Sequence, residues 1–226
     1  MRRLSLFLAM VVFAAGTTAW AETWAYVDQG PSNQTWSGNL GLDFHVNSAI
    51  VVTGLGIFNA SGANFIVGGP ISVGIFDINA APNSGPLVST SFFNSTTYSI
   101  APGPYDLNQA VNPIVLNPGD YSVVAVGYGS LDPNGNQHNG SPGPLTDDGG
   151  GLISFIGTGR YDSNTSLDLP GTIDVSSGQP PSGPNIYDAG TFEFEAVPEP
   201  GTSALLGIGI TGLGFLYRRA ARRKIN

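Results

Sequence analysis

Glycine and proline recur too often through the long middle of this chain for a long helix to survive there. There are 32 glycines and 17 prolines among 226 residues. Glycine weakens a helix, and proline breaks one because it lacks the amide N–H and clashes with the preceding turn. Between them lie short runs rich in Val, Ile, Phe, Thr and Tyr, the side chains that suit a pleated surface. Leu42, Phe44 and Val46 alternate with Gly41, Asp43 and His45, and Ile71, Val73 and Ile75 alternate with Ser72 and Gly74. A period of two puts one apolar face on each strand. Residues 50–58 are a near-continuous apolar run, expected where a strand is covered on both faces.

The remaining strand material follows turn chemistry. Residues 87–93 come after Ala81-Pro82-Asn83-Ser84-Gly85-Pro86. Ile114-Val115-Leu116 leads into Asn117-Pro118-Gly119-Asp120, where proline presets the first turn position and glycine accepts positive φ at the next. Residues 121–128 alternate, residues 152–156 form another short run, and residues 191–196 set Phe192 and Phe194 inward against Glu193 and Glu195 outward. About eight to ten strands with turn-rich links predict an all-β fold, a two-sheet antiparallel sandwich that is jelly-roll-like. Residues 129–151 and 158–190, rich in Gly, Asn, Asp, Ser and Pro, are expected as long surface loops.

Both ends differ from this body. Met1-Arg2-Arg3, a mostly apolar stretch over residues 4–15 and the small residues Ala19 and Ala21 have the layout of a secretory signal peptide, with cleavage after Ala21. Signal peptidase is therefore an expected processing partner. The expected division is signal peptide 1–21, sandwich 22–197 and a C-terminal segment 198–226. That last segment opens on Pro198-Glu199-Pro200, which is stiff and extended because proline restricts itself and the residue before it. Residues 201–217 carry no charge, and as a transmembrane helix they reach roughly 25 Å, near the short limit for a hydrocarbon core of about 30 Å. Arg218, Arg219, Arg222, Arg223 and Lys224 follow, a basic cluster that stops transfer and stays on the cytoplasmic side.

This order of Pro-Glu-Pro, glycine-rich apolar segment and terminal arginine cluster resembles the PEP-CTERM sorting signal of Gram-negative bacteria. The resemblance implies transient anchoring in the inner membrane and cleavage near Pro198-Glu199-Pro200 by an exosortase, a membrane-embedded cysteine transpeptidase. It also implies transfer of the body to the cell surface or extracellular matrix, with this chain as substrate. Within the body, Gly41-x-x-Phe44-x-Val46, residues 52–58, Val73-Gly74-Ile75-Phe76-Asp77 and Leu116-x-Pro118-Gly119-Asp120-Tyr121 resemble bacterial extracellular β-sandwich domains of unknown function.

Charge and composition narrow the chemistry. Arg160 is the single Lys or Arg between Glu22 and Glu199, against 16 acids, a net charge of −15 for that stretch. Nucleic acid is excluded as a partner, since phosphate contacts need Lys and Arg. The absence of cysteine removes thiol catalysis and thiolate metal sites. No G-x-S-x-G, H-E-x-x-H or P-loop pattern occurs, and His45 and His138 are the two histidines.

Asp162, Asn164, Ser166 and Asp168 carry oxygens at alternate positions, as Asp132, Asn134 and Asn136 do. Such loops can wrap calcium, which takes six to eight oxygens, and they can equally be plain turns. Trp24 and Trp36, with Tyr26, offer faces that stack on sugar rings or pack at a sheet edge. The sequence thus points to an exported, non-enzymatic protein with a structural or adhesive role in an exopolysaccharide-rich biofilm matrix. No cofactor is expected unless calcium serves. The alternatives are a calcium-assisted carbohydrate-binding module and an enzyme acting on extracellular polysaccharide.

Overall fold

The computed structural model describes residues 22–31, 34–80, 84–136, 143–174 and 187–197. Among these there is no helix, and the strands are β1 (Thr23–Trp24), β2 (Tyr26–Val27), β3 (Leu40–Val46), β4 (Ile50–Phe58), β5 (Ile71–Asp77), β6 (Val88–Phe92), β7 (Ser99–Ile100), β8 (Asp106–Leu116), β9 (Gly119–Val126), β10 (Gly135–Asn136), β11 (Leu145–Thr146), β12 (Ile153–Tyr161), β13 (Thr172–Asp174), β14 (Tyr187–Asp188) and β15 (Gly190–Ala196). The signal peptide, the segment expected to cross the membrane and the basic cluster lie outside the described residues.

Two antiparallel sheets carry the body. One has the order β1-β15-β4-β8-β7 and the other β13-β12-β3-β9-β5-β6; β10 with β14 and β11 with β2 make two small ribbons. Two of the connections cross between the sheets and pair as a nest. β3 and β4 lie in different sheets, as do β8 and β9, and β3 pairs with β9 while β4 pairs with β8. The sheets meet through side chains of alternate strand positions. The Phe192 ring of β15 stands 4.5 Å from the Phe44 ring of β3, and Phe44 stacks on Tyr121 of β9 at 5.8 Å. Gly190 of β15 sits so close to Val73, Val123 and Ala125 of the opposite sheet that a Cβ there would come within 3.1–3.5 Å of them.

The inward pattern follows the alternation. Leu42, Phe44, Val46, Ile71, Val73, Ile75, Phe192 and Phe194 are all buried. β4 is covered on both faces. Against β15 it carries one extra residue, Thr53, and against β8 the surplus lies in β8, where Val111, Asn112 and Pro113 stand opposite Thr53; beyond the shift Val52 and Leu55 are both buried. On the outer side the Trp24 ring lies over Gly54 and Gly56, within 3.4 Å of where their side chains would begin.

Several strands exceed the sequence expectation. β8 begins at Asp106, although only Ile114-Val115-Leu116 carried an apolar signal. After the buried Asp106 and Leu107 its residues up to Pro113 are partly or fully exposed, and β7 pairs with it at only two residues, Ser99 and Ile100. β12 runs on to Tyr161, into the stretch expected as loop, and β10, β11, β13 and β14 add short strands in the two expected loop regions. In β9, Val124 and Val126 are buried along with Val123 and Ala125, because β9 sits between β3 and β5.

Candidate functional site

β12 leads Asp162 out of the sheet, and residues 162–171 fold back to β13. They close on the side chain of Asn39, the fully buried residue before β3. Asn39 Nδ2 donates to Asp162 Oδ1 at 3.0 Å, Ser166 O at 2.9 Å and Asp168 Oδ1 at 2.6 Å, with Asn164 O at 3.4 Å. The Asp168 N–H returns a bond to Asn39 Oδ1 at 3.3 Å. Asn164 Nδ2 bridges Asp162 Oδ2 and Asp168 Oδ2 at 3.2 and 2.9 Å. The structure thus brings three of the four expected residues together through side chains, and Ser166 joins through its carbonyl.

An amide nitrogen has two protons, and here four oxygens surround it. Burial raises the Asp168 carboxyl above its ordinary value. The Asn164 bond offsets this in part, and the neighbouring Asp162 charge adds to it. Gly38 makes the closure possible, because a Cβ there would fall 2.0 Å from Asp162 O. Trp36 seals one side: its Nε1–H donates to Asp162 O at 2.9 Å and its ring meets Tyr161 edge-on at 6.1 Å. Trp36 therefore braces the loop, while Trp24 packs on the other sheet.

The second oxygen-rich stretch is divided among separate tasks. The Asp132 carboxylate accepts the Val67 and Gly68 N–H groups. Asn134 Nδ2 donates to Gln34 Oε1 and Gly135 O, and its Oδ1 accepts from the Trp36 N–H. His45, half-exposed, holds Asp120 at 2.6 Å, and His138 lies outside the described residues. Among the described residues no group of three or more His, Asp or Glu side chains is placed to hold a metal ion.

A cleft of about 410 Å³ adjoins the loop, bounded by the end of β5 with its following turn and by residues 160–171. Phe76, Asp77, Arg160, Asp162, Asp168 and Pro170 are among its walls. Arg160 Nε donates to both Asp43 oxygens, at 2.7 and 2.9 Å, and Asp43 is buried.

Sequence reading missed a set of buried carboxylates elsewhere. Asp28 follows β2, Asp106 opens β8 and Asp188 lies in β14; all three are buried. Asp106 Oδ2 accepts the Asp28 and Gly103 N–H groups, both at 3.1 Å. Its Oδ1 meets no donor among the described residues, and the Asp28 and Asp106 carboxyls lie close enough for each to perturb the other. Two such carboxyls hold together when one keeps its proton. Burial first, then the Asp106 and Asp188 charges, push the Asp28 carboxyl well above its ordinary range, and burial raises Asp106 too. Isolated acids in polar surroundings gave no pattern by which spacing alone could have joined them.

β15 ends at Ala196, and the Val197 N–H donates to Ala49 O at 3.3 Å before the sequence reaches Pro198. Residues 196–223 match the family described as the PEP-CTERM protein-sorting motif. The chain carries a PEP-CTERM motif. Such a motif marks an exosortase substrate, exported and sorted at the membrane to the cell surface or beyond. Nothing among curated proteins or solved structures matches the chain. The likeness of residues 41–128 to extracellular sandwich domains therefore rests on its own phrases. The PEP-CTERM residues Pro198, Glu199 and Pro200, the cleavage-flanking Ala19 and Ala21, and Arg218, Arg219, Arg222, Arg223 and Lys224 lie outside the described residues. No helix among the described residues is long and apolar enough to cross a membrane.

Proposed function

We propose that this protein is a non-enzymatic component of an exopolysaccharide or biofilm matrix of a Gram-negative bacterium, with a structural or adhesive role. Signal peptidase removes residues 1–21, residues 22–197 form a jelly-roll-like sandwich, and exosortase severs the tail after transient anchoring in the inner membrane. The observation that carries this reading is the PEP-CTERM match at residues 196–223. Intact mass of the surface or secreted form in its native host tests it. The expected form begins at Glu22 and lacks Arg222, Arg223 and Lys224. Replacing Pro198, Glu199 and Pro200 by alanine should leave the full tail on a cell-associated chain. A released form that retains the tail sinks the proposal.

A second reading, a calcium-assisted carbohydrate-binding module, is favoured by the oxygens around Asn39. Asp162 and Asp168 supply hard carboxylate donors, and Asn164 O and Ser166 O supply carbonyls, the oxygen chemistry calcium takes. Turning the Asn39 amide end for end would bring Oδ1 among them in place of Nδ2, at the cost of the weak 3.3 Å bond from the Asp168 N–H. Calcium there would brace the loop that forms one wall of the cleft. A chelator-sensitive melting temperature tests this reading.

A further inference from the structure

Arg160 is the lone Lys or Arg of the body, and its Nε alone is engaged by Asp43. Its Nη groups have no acceptor among the described residues, although the side chain is only 13% exposed and lines the cleft. Across the cleft, Asp77 Oδ1 accepts the Asn79 N–H at 2.8 Å, and its Oδ2 is left to accept. The cleft thus presents a guanidinium fork and a carboxylate oxygen, with the half-buried Leu169 as an apolar wall beside them. At about 410 Å³ it falls within the roughly 300–1,000 Å³ of small-ligand sites.

The local charge selects the ligand class. Asp43 neutralises Arg160, while Asp77, Asp162 and Asp168 add negative charge to the walls. An anionic ligand is repelled, and an apolar one would leave the guanidinium N–H groups without partners, which is costly at a desolvated site. A ligand dense in hydroxyls satisfies both sides, since each hydroxyl donates one bond and accepts others.

We propose that this cleft binds a neutral or amino-bearing saccharide, with Arg160 donating to its hydroxyl oxygens and Asp77 accepting from its hydroxyl protons. The ligand class rests on the carbohydrate-binding reading above; the site assignment goes beyond it. The test is calorimetric titration of the full chain in a zwitterionic detergent, whose head group carries no sugar, with calcium present throughout. The probes are cellohexaose, a chitosan hexamer and an alginate hexamer. Saturable heat is expected from cellohexaose or the chitosan hexamer and none from alginate. Arg160→Lys, which loses the fork and keeps the charge, and Asp77→Asn should each weaken binding tenfold or more. No heat from any probe overturns the site and the carbohydrate reading together. Binding that both variants leave intact overturns the site and leaves that reading standing. Tightest binding of alginate overturns the ligand class.

Discussion

Burial of the Asp28 and Asp106 carboxyls should make the stability of this sandwich fall as pH rises. In the unfolded chain both carboxyls ionise in the ordinary range near 4. In the folded chain burial raises both, and Asp28 stands well above that range. The native state therefore binds more protons across the interval between the two values, and stability declines there. The slope is about 1.4 kcal/mol per pH unit for each proton held, levelling off once the folded pair has itself ionised. The pair titrates as a unit, with Asp188 and the Tyr128 hydroxyl facing it. Asp28→Asn removes one buried ionisation. Urea unfolding of both proteins from pH 4 to 8 checks this. Asp168 and Glu193, also raised by burial, contribute equally to both proteins and cancel in the difference. The wild type should lose stability more steeply than the variant by about 1.4 kcal/mol per pH unit over the affected interval. Parallel profiles would refute this effect of burial, as would a variant less stable than the wild type at pH 8.

Phe192→Ala empties a fully buried site shared with Phe44, Tyr26 and Phe194, and should cost about 3–5 kcal/mol in denaturant unfolding. Gly127 has φ +103°, and a Cβ there would meet Pro70 O at 2.3 Å; Gly127→Ala should therefore cost about 2 kcal/mol or more, read as a lowered melting temperature. If calcium binds the Asn39 loop, a concentration near 100 times its dissociation constant should add about 2.7 kcal/mol of stability, and Asp168→Asn should abolish that gain. An equal response of the variant would assign the calcium effect elsewhere.

What the sequence made legible was what repeats. Alternation in residues 42–46, 71–75 and 191–196 identified core-facing strands, because a period of two has one physical meaning when one face is buried. The continuous run at residues 50–58 correctly implied cover on both faces, though not that the outer cover is one tryptophan over two glycines. Polar strand segments such as Asp106–Pro113 stayed hidden, since a half-covered edge needs no apolar signal. The Asp162–Asp168 spacing was readable as an oxygen-rich loop. That it closes on Asn39, more than a hundred residues earlier, depends on β3 and β12 being neighbours in one sheet. Asp28 and Asp106 were invisible for the same reason: only tertiary folding brings them together.

The last strand has a mechanical consequence. β15 is not an edge; β1 flanks it on one side, and on the other β4 pairs with all seven of its residues, Gly190 to Ala196. Its backbone bonds stand across the strand direction. Tension entering the body through residue 197 and opposed at the far end of β4, beyond Ile57, would load that ladder in shear, so its bonds share the force instead of opening one by one. The tail thus leaves the body from a strand bonded along its whole length, and not from a loose edge.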